Sequence, residues 1–555
     1  MTKSRFGGRF ASACVTSVVA ILATVATVAA AANFNGSSYS RNASLDANMD
    51  IFWTIDTDLN TIRVAVHAKA ATGWAGFGVS EMGGMEGADI VFYEVSTGNI
   101  TDAHTIVPGT PVTDECTQDW TLLSAEVDTD SLVFVAERDL DTGDTQDHGF
   151  VDDSADGALA TRILTAWGDA ETINYHGANF AKGQVILYGG VENSDVDHVV
   201  EIASNPGVFS FNVSAQPNFT IPQVRTTYQD TCVSASALPD LDEYHVIGFE
   251  AVVNNDTSKY VHHLVLRAYT VDNCGEGCDF DDPELSTSPL CENFNFADIF
   301  VWAPGSSDIT LPDDVGFRLG NASGRFLSLG VETHYNNPDG DEGLIDDSGV
   351  RVYYTGELRP VDMGVIQLGD PFVGLDGVLV LEGRSSYSFG CPSSCFEQYF
   401  EDDTVTVFSH GLHMHENGQR FETRQYRNSS DGEEVLVHAA EVEYYSFLQA
   451  GVHMVTTNDS VTIQKGDRFE TDCYYDTDLS SLASDNVTFG LGSENEMCID
   501  FILYYPDQNV PYSGACGLYM CNGSLDDIKE LAADSDFERT FGIVDTCSTA
   551  AGDDE

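Results

Sequence analysis

The residues best equipped for chemistry in this chain are histidines, and the fourteen present are unevenly placed. His262 and His263 are adjacent, and His334 stands in Glu332-Thr333-His334-Tyr335-Asn336-Asn337-Pro338. His410, His413 and His415 share one short stretch. In a strand, side chains at i and i+2 face the same way, so His413 and His415 would project two imidazoles from one face, which suits a shared metal ion. His262 and His263 would face opposite ways in a regular strand, so joint ligation there requires irregular backbone. The spacing is equally compatible with histidines hydrogen-bonded within or beside a sheet. For the metal, copper cycling between two oxidation states favours imidazole and thioether ligands. Among the nine methionines, most of which suit core filling, Met497 sits in Glu494-Asn495-Glu496-Met497-Cys498, beside a cysteine able to pin it. Met414 and Met454 remain open alternatives.

The elements that must carry these residues read as strands. Ile62, Val64 and Val66 alternate with Arg63, Ala65 and His67, and Leu132 to Val135 form a more fully buried run. Glycine-rich turns such as Thr72-Gly73-Trp74-Ala75-Gly76-Phe77-Gly78 punctuate the region from Leu45 to Gly190, a β-sandwich pattern. A polar joint over Ala203 to Pro222 follows. A second β-rich block has strands at Tyr260 to Tyr269 and Phe326 to His334. A third has strands at Thr404 to Phe408, Glu441 to Phe447 and Cys498 to Tyr505. One helix is expected, near Leu525 to Ala533. The fold class is therefore all-β, with modules at residues 40–195, 205–355 and 356–530 and an acidic tail at 531–555.

The formal net charge is −65, from 24 basic and 89 acidic side chains. Nucleic acid is excluded as a partner, because phosphate backbones demand basic patches. A charge of this sign draws cations, whether metal ions or protonated amines. Lys3, Arg5 and Arg9 precede an apolar run from Ala11 to Ala32, so residues 1–32 read as a secretory signal, or as a membrane anchor if uncleaved. Both place the rest of the chain on the oxidising side of a membrane, in the secretory lumen or outside the cell. Cys14 falls in that segment, leaving twelve of the thirteen cysteines for disulfides and none as a soft metal ligand. Sequons at Asn35, Asn42, Asn99, Asn212, Asn218, Asn255, Asn321, Asn428, Asn458, Asn486 and Asn522 agree with secretion.

Taken together, Val261-His262-His263-Leu264, Thr333 to Pro338, Leu412-His413-Met414-His415, Glu496-Met497-Cys498 and Tyr504-Tyr505-Pro506 resemble the copper type II, ascorbate-dependent monooxygenases. Gly76 to Ser80, Ala88-Asp89-Ile90-Val91 and Gln118-Asp119-Trp120 are similar to a DOMON domain, and a leading DOMON domain is the dopamine β-hydroxylase-like layout. The resemblance implies a DOMON β-sandwich followed by two jelly-roll-like copper domains. It implies two coppers, one held by His262, His263 and His334 and the other by His413, His415 and Met497, while His410 falls on no ligand position. It further implies reduction by ascorbate, use of O₂ at the methionine-bearing site, hydroxylation of a substrate C–H, and an electron supplied by the other site across a solvent-filled cleft. The implied disulfides are Cys232–Cys278, Cys274–Cys291, Cys391–Cys516 and Cys473–Cys498. Cys395–Cys521 and Cys116–Cys547 complete the set, with the swapped pairing left open.

Substrate choice departs from the peptide-hydroxylating members, whose carboxylate-gripping arginine and tyrosine are replaced here by Gly411 and Phe501. The dopamine and tyramine enzymes also carry tyrosine at the Phe501 position. Asp500, with Glu494 and Glu496 nearby, is the candidate to attract a protonated amine, although these carboxylates equally suit an acidic surface. The expected substrate is a small amine or phenolic molecule. Haem b is a further option, because some DOMON domains hold it between methionine and histidine, and Met82, Met85 and His176 are present. The competing functions are a non-catalytic copper-binding or adhesion protein, suggested by Phe501, and a haem electron-transfer protein. Homo-oligomerisation is left open.

Overall fold

The computed structural model describes residues 34–510 apart from 107–108, 155–157, 189–201, 215–217, 273, 275–295, 307, 321–325, 371–378, 381, 431, 450, 456–460, 480–486 and 491–494. The regular structure of the described residues is almost wholly strand. The helix expected near Leu525 and the segment 1–32 lie outside them. Among the described residues, no helix is long and apolar enough to cross a membrane. A short helix, Ser394–Tyr399, appears where no periodic signal marked one.

Two sheets form the first module. One has five antiparallel strands, in which Met49–Asp56 shows the inside-outside alternation of a half-buried strand. The other has six, and its strand Trp74–Val79 is buried on both faces. Ala75, Phe77 and Val79 point into the module's own core. Trp74, Gly76 and Gly78 therefore point out of the sandwich, toward the second module.

In the second module, Val261–Tyr269 is a central strand of a four-stranded sheet, flanked by Phe296–Trp302 and Ser328–Asn336. The expected joint at 203–222 is in part structured: Val208–Ser214 pairs in antiparallel register with Gly349–Thr355. Its side chains are exposed or half-buried apart from Val213, with Phe209 at 57%. Phe209, Phe211 and Val213 alternate with Ser210, Asn212 and Ser214, a strand period set within Asn- and Pro-bearing surroundings that read as a joint.

The third module pairs Thr404–His413 with Ile499–Tyr505 and stacks that sheet on a four-stranded one. The strand expected over Glu441 to Phe447 is displaced. Strand Glu434–Val442 ends earlier, and Phe447–Gln449 is a turn of 3-10 helix. Tyr444 and Tyr445 are buried by contacts outside any sheet, which the sequence pattern cannot separate from strand burial.

The modules share interior. One apolar cluster joins Leu264, Phe300 and Val331 of the second module to Phe408, Met454 and Leu503 of the third. Another joins Met82 of the first and Ala303 of the second to Leu412, Tyr445 and Phe447 of the third. Arg162 crosses the same junction fully buried. Its guanidinium donates to the Met82 carbonyl at 2.8 Å and to the Val452 carbonyl.

The disulfides correct one expectation. Cys232 bonds Cys274, with Cα atoms 5.8 Å apart, so neither Cys232–Cys278 nor Cys274–Cys291 forms. The reason is topological. Cys232 lies opposite Gly330 on one side of strand Ser328–Asn336. The chain leaving the strand on the other side brings the Cys274 amide to Ser328 Oγ at 3.1 Å, within bridging reach. Cys473–Cys498 forms as expected. Cys116, Cys391 and Cys395 are also disulfide-bonded, while Cys278, Cys291, Cys516, Cys521 and Cys547 lie outside the described residues. The sequon asparagines that are described, Asn35, Asn42, Asn99, Asn212, Asn218, Asn255 and Asn428, are all exposed.

Candidate metal centres

His262 and His263 reach one side of their strand by a break in register. Val261 pairs with Tyr335, but His263 pairs with His334, a bulge that absorbs His262. Nitrogens of His262, His263 and His334 consequently lie within 4.8 Å of one another. The two Nδ1 atoms of the adjacent pair are 3.3 Å apart. All three rings are buried, and neither His262 Nε2 nor either nitrogen of His334 has a hydrogen-bond partner. Burial is the main cause holding all three imidazoles neutral, His334 titrating down at about 3 and the other two well below their ordinary range. Three neutral imidazoles with buried, unpartnered nitrogens are costly unless something accepts their lone pairs. A metal ion does so, and the set fits copper. Tyr228 stacks on His334 at 4.4 Å and fixes its plane, a contact that no local motif announced.

The second set comes from the end of strand Thr404–His413 and the turn after it. His413 and His415 lie with ring centroids 5.1 Å apart. His415 Nδ1 faces the Asn495 carbonyl at 3.1 Å, which orients the ring. Glu496 is fully buried, and its Oε2 accepts the His415 amide at 3.0 Å. Its Oε1 accepts the Asn417 amide at 2.7 Å and the Asn417 side chain at 2.8 Å. Burial pushes its carboxyl up to about 7. Glu496 thus clasps the histidine turn to the segment carrying Met497, which Tyr475 holds through the Met497 carbonyl at 2.7 Å and the Cys473–Cys498 bridge holds from the next residue. Of the alternatives, Met414 packs over Gly418 inside the apolar core, and Met454 lies opposite Ser409 in the sheet.

The two sets meet. His263 and His413 have ring centroids 6.2 Å apart, where a solvent-filled cleft was expected between the sets. Phe447 fills the junction, 4.0 Å from His262 and 5.4 Å from His415. The first module holds the segment that presents it: Tyr444 N donates to Glu81 at 2.9 Å, Ser446 Oγ to Glu86 at 2.9 Å, and Gln449 Nε2 to the Glu86 carbonyl at 3.0 Å. Sequence reasoning missed Phe447, because nothing in its neighbourhood along the chain points to residues near 262 or 415.

Asp500 is not where an amine could reach it. It is fully buried, and its Oδ2 contacts His410 Nδ1 at 2.8 Å, while His410 Nε2 faces His438 Nε2 at 3.1 Å. In a strand, residue 500 points opposite to 501, so Asp500 enters the sandwich while Phe501 faces the site, 6.2 Å from His413. Glu496 is likewise interior, and Glu494 lies outside the described residues. Met82 belongs to the junction cluster, whereas Met85 and His176 line a cavity against the second module.

Comparison with known proteins agrees with this architecture. The copper type II ascorbate-dependent monooxygenase family matches with its N-terminal domain at residues 212–342 and its C-terminal domain at 362–526. A DOMON domain matches at 45–155. A putative DBH-like monooxygenase protein 2 of Homo sapiens is 30% identical over 85% of this chain and 89% of its own length. The chain belongs to the copper type II ascorbate-dependent monooxygenase family. Other relatives in the family are tyramine β-hydroxylase of Caenorhabditis briggsae, 27% identical over 84% of this chain and 76% of that protein, and dopamine β-hydroxylase of Rattus norvegicus, 26% identical over 87% and 73%. Among solved structures, the cytochrome domain of Myriococcum thermophilum cellobiose dehydrogenase is similar to 29% of the chain and 86% of that domain, at 12% identity and a TM-score of 0.21. Membership implies copper and ascorbate as the cofactors.

Proposed function

We propose that the protein is a copper-dependent monooxygenase of the secretory pathway, which uses ascorbate and O₂ to hydroxylate a C–H bond of a small amine or phenolic molecule. The observation that carries the reading is the convergence of His262, His263 and His334, neutral and with unpartnered nitrogens, beside His413 and His415. In this reading the first three hold one copper, and His413, His415 and Met497 hold the other. Bound copper would supply one-electron transfer and activation of O₂.

The protein's own groups do the rest. Burial keeps the imidazoles unprotonated, so their lone pairs are available at neutral pH. Phe447 excludes water from between the two sets. Phe501 offers an apolar wall beside His413, and Gly411, paired with it across the sheet, contributes no cation. A substrate carboxylate would find no partner at these two positions, which argues against a peptidylglycine-type substrate. With Asp500 turned inward, recognition of an amine rests on other groups.

The test is product analysis by mass spectrometry after incubating copper-loaded protein with ascorbate and a panel of phenethylamines, indoleamines and glycine-extended peptides. Gain of one oxygen on an amine or phenol is expected. Binding of fewer than two coppers, or a Met497→Ala variant that forms product as well as wild type, would overturn the reading.

A further inference from the structure

Between the first module and the second lies a cavity of about 1310 Å³. Its first-module wall is the outer face of the six-stranded sheet, where Gly76, Gly78 and Ala166 supply almost no side chain and leave room. Its opposite wall includes Trp302, and its floor reaches His262. Among the six proposed ligand residues, His262 alone lines it. The cavity therefore opens on the first histidine set and not on the second.

The charge on its wall is unusual for this protein. The chain has 24 cationic side chains against 89 acidic ones. Four lysines are described, Lys69, Lys182, Lys259 and Lys465, and Lys182 and Lys259 both line this one cavity. The Lys182 ammonium lies 5.9 Å from the centroid of the Trp302 ring. Trp302 is the cross-strand partner of Leu264, two residues along the strand from His262. The carboxylate on the wall is Asp308, whose proton affinity burial raises to about 6 and which Lys182 and Arg351 oppose. Lys259 is shared with Asp341 at the rim, at 3.3 Å.

A small planar anion finds three things here: an ammonium group, an aromatic surface beside it, and a path ending at His262. We propose that this cavity is the docking site of the anionic enediol reductant, ascorbate, with Lys182 as its principal anchor and Trp302 as the surface on which its ring lies. The inference deepens the function proposed above and rests on it. In balanced form, the ascorbate monoanion would give one electron to oxidised copper held by the His262 set, lose its remaining enediol proton to solvent, and depart as the radical anion. Two such events supply the two electrons that a monooxygenation consumes.

The test is saturation-transfer-difference NMR with ascorbate on the metal-free full chain under argon, where no turnover can occur. Wild type should bind saturably. Lys182→Met should weaken binding by about tenfold, Lys182→Arg should keep most of it, and Lys465→Met, remote on the third module, should change nothing. Equal binding by wild type and Lys182→Met would overturn the proposal, as would competition by phenethylamine, which would make the cavity a site for the organic substrate. A Soret band in the purified protein would overturn it in favour of haem between Met85 and His176. Copper content is measured after separate aliquots of the same proteins are reloaded with copper: two coppers with unaltered Lys182→Met binding rejects the docking site alone, whereas fewer than two rejects the underlying function.

Discussion

The phenyl ring of Phe447 sits 4.0 Å from the imidazole of His262, although the two residues belong to different sandwiches. The Phe447 ring centroid is also 5.4 Å from that of His415, so one apolar side chain lies against both histidine sets. Its removal should leave both metal sites intact while opening the path between them. Phe447→Ala is expected to lower stability by about 3 kcal/mol, as for a large buried aromatic. It should also reduce product formed per ascorbate consumed, with two coppers still bound. Thermal unfolding, copper analysis and oxygen-to-product stoichiometry check the three parts.

Glu496 accepts three N–H groups from the turn that carries His415. Glu496→Gln replaces one acceptor oxygen by a donor facing other donors. Copper affinity of the proposed His413, His415 and Met497 site should fall by about 10- to 100-fold, the usual effect of disturbing groups that orient metal ligands. The His262 set should be unaffected. Competition with a chelator of known affinity reads both sites separately.

The Cys473–Cys498 bridge closes a loop of sequence separation 25 next to Met497. Replacing both cysteines by alanine should cost roughly 3 kcal/mol through the unfolded chain. Because the strand end is also released, the methionine-bearing site should lose copper before the His262 set does. Denaturant titration and copper analysis of the double variant test this.

Asp102 and Asp114 in the first module have carboxyls raised to about 8, by burial first and by neighbouring carboxylates second. Both exceed the value near 4 of an unfolded chain. Between those limits the folded state keeps protons that the unfolded state has released, so these groups destabilise the fold increasingly as pH rises. Metal-free protein should therefore melt several degrees higher at pH 6 than at pH 8. Asp102→Asn should flatten that dependence, as scanning calorimetry would show.

Much of this was legible along the chain. Alternating apolar residues announced strands, because a half-buried strand repeats every two residues wherever it ends up. The same period suggested a shared strand face for His413 and His415, but the strand ends at His413 and the turn after it brings His415 alongside. His262 and His263 declared that the backbone between them had to break its pairing, and the bulge opposite His334 is that break. The misreadings have separate sources. Val208–Ser214 read as a joint because the polar, Asn- and Pro-bearing residues around it outweighed its short alternation, and the run at 441–447 read as strand because burial by another module resembles burial in a sheet.

Local pattern also carried the choice of residue types for the two proposed metal sites, since imidazole and thioether chemistry is a property of side chains wherever they sit. Separation, partner and access were another matter. The 6.2 Å between His263 and His413, the insertion of Phe447, the pairing of Cys232 with Cys274, the inward turn of Asp500 and the cavity under Lys182 each depend on residues far apart in sequence. They are set by how three sandwiches pack, and packing is a contest among all the surfaces at once, which no window of sequence contains.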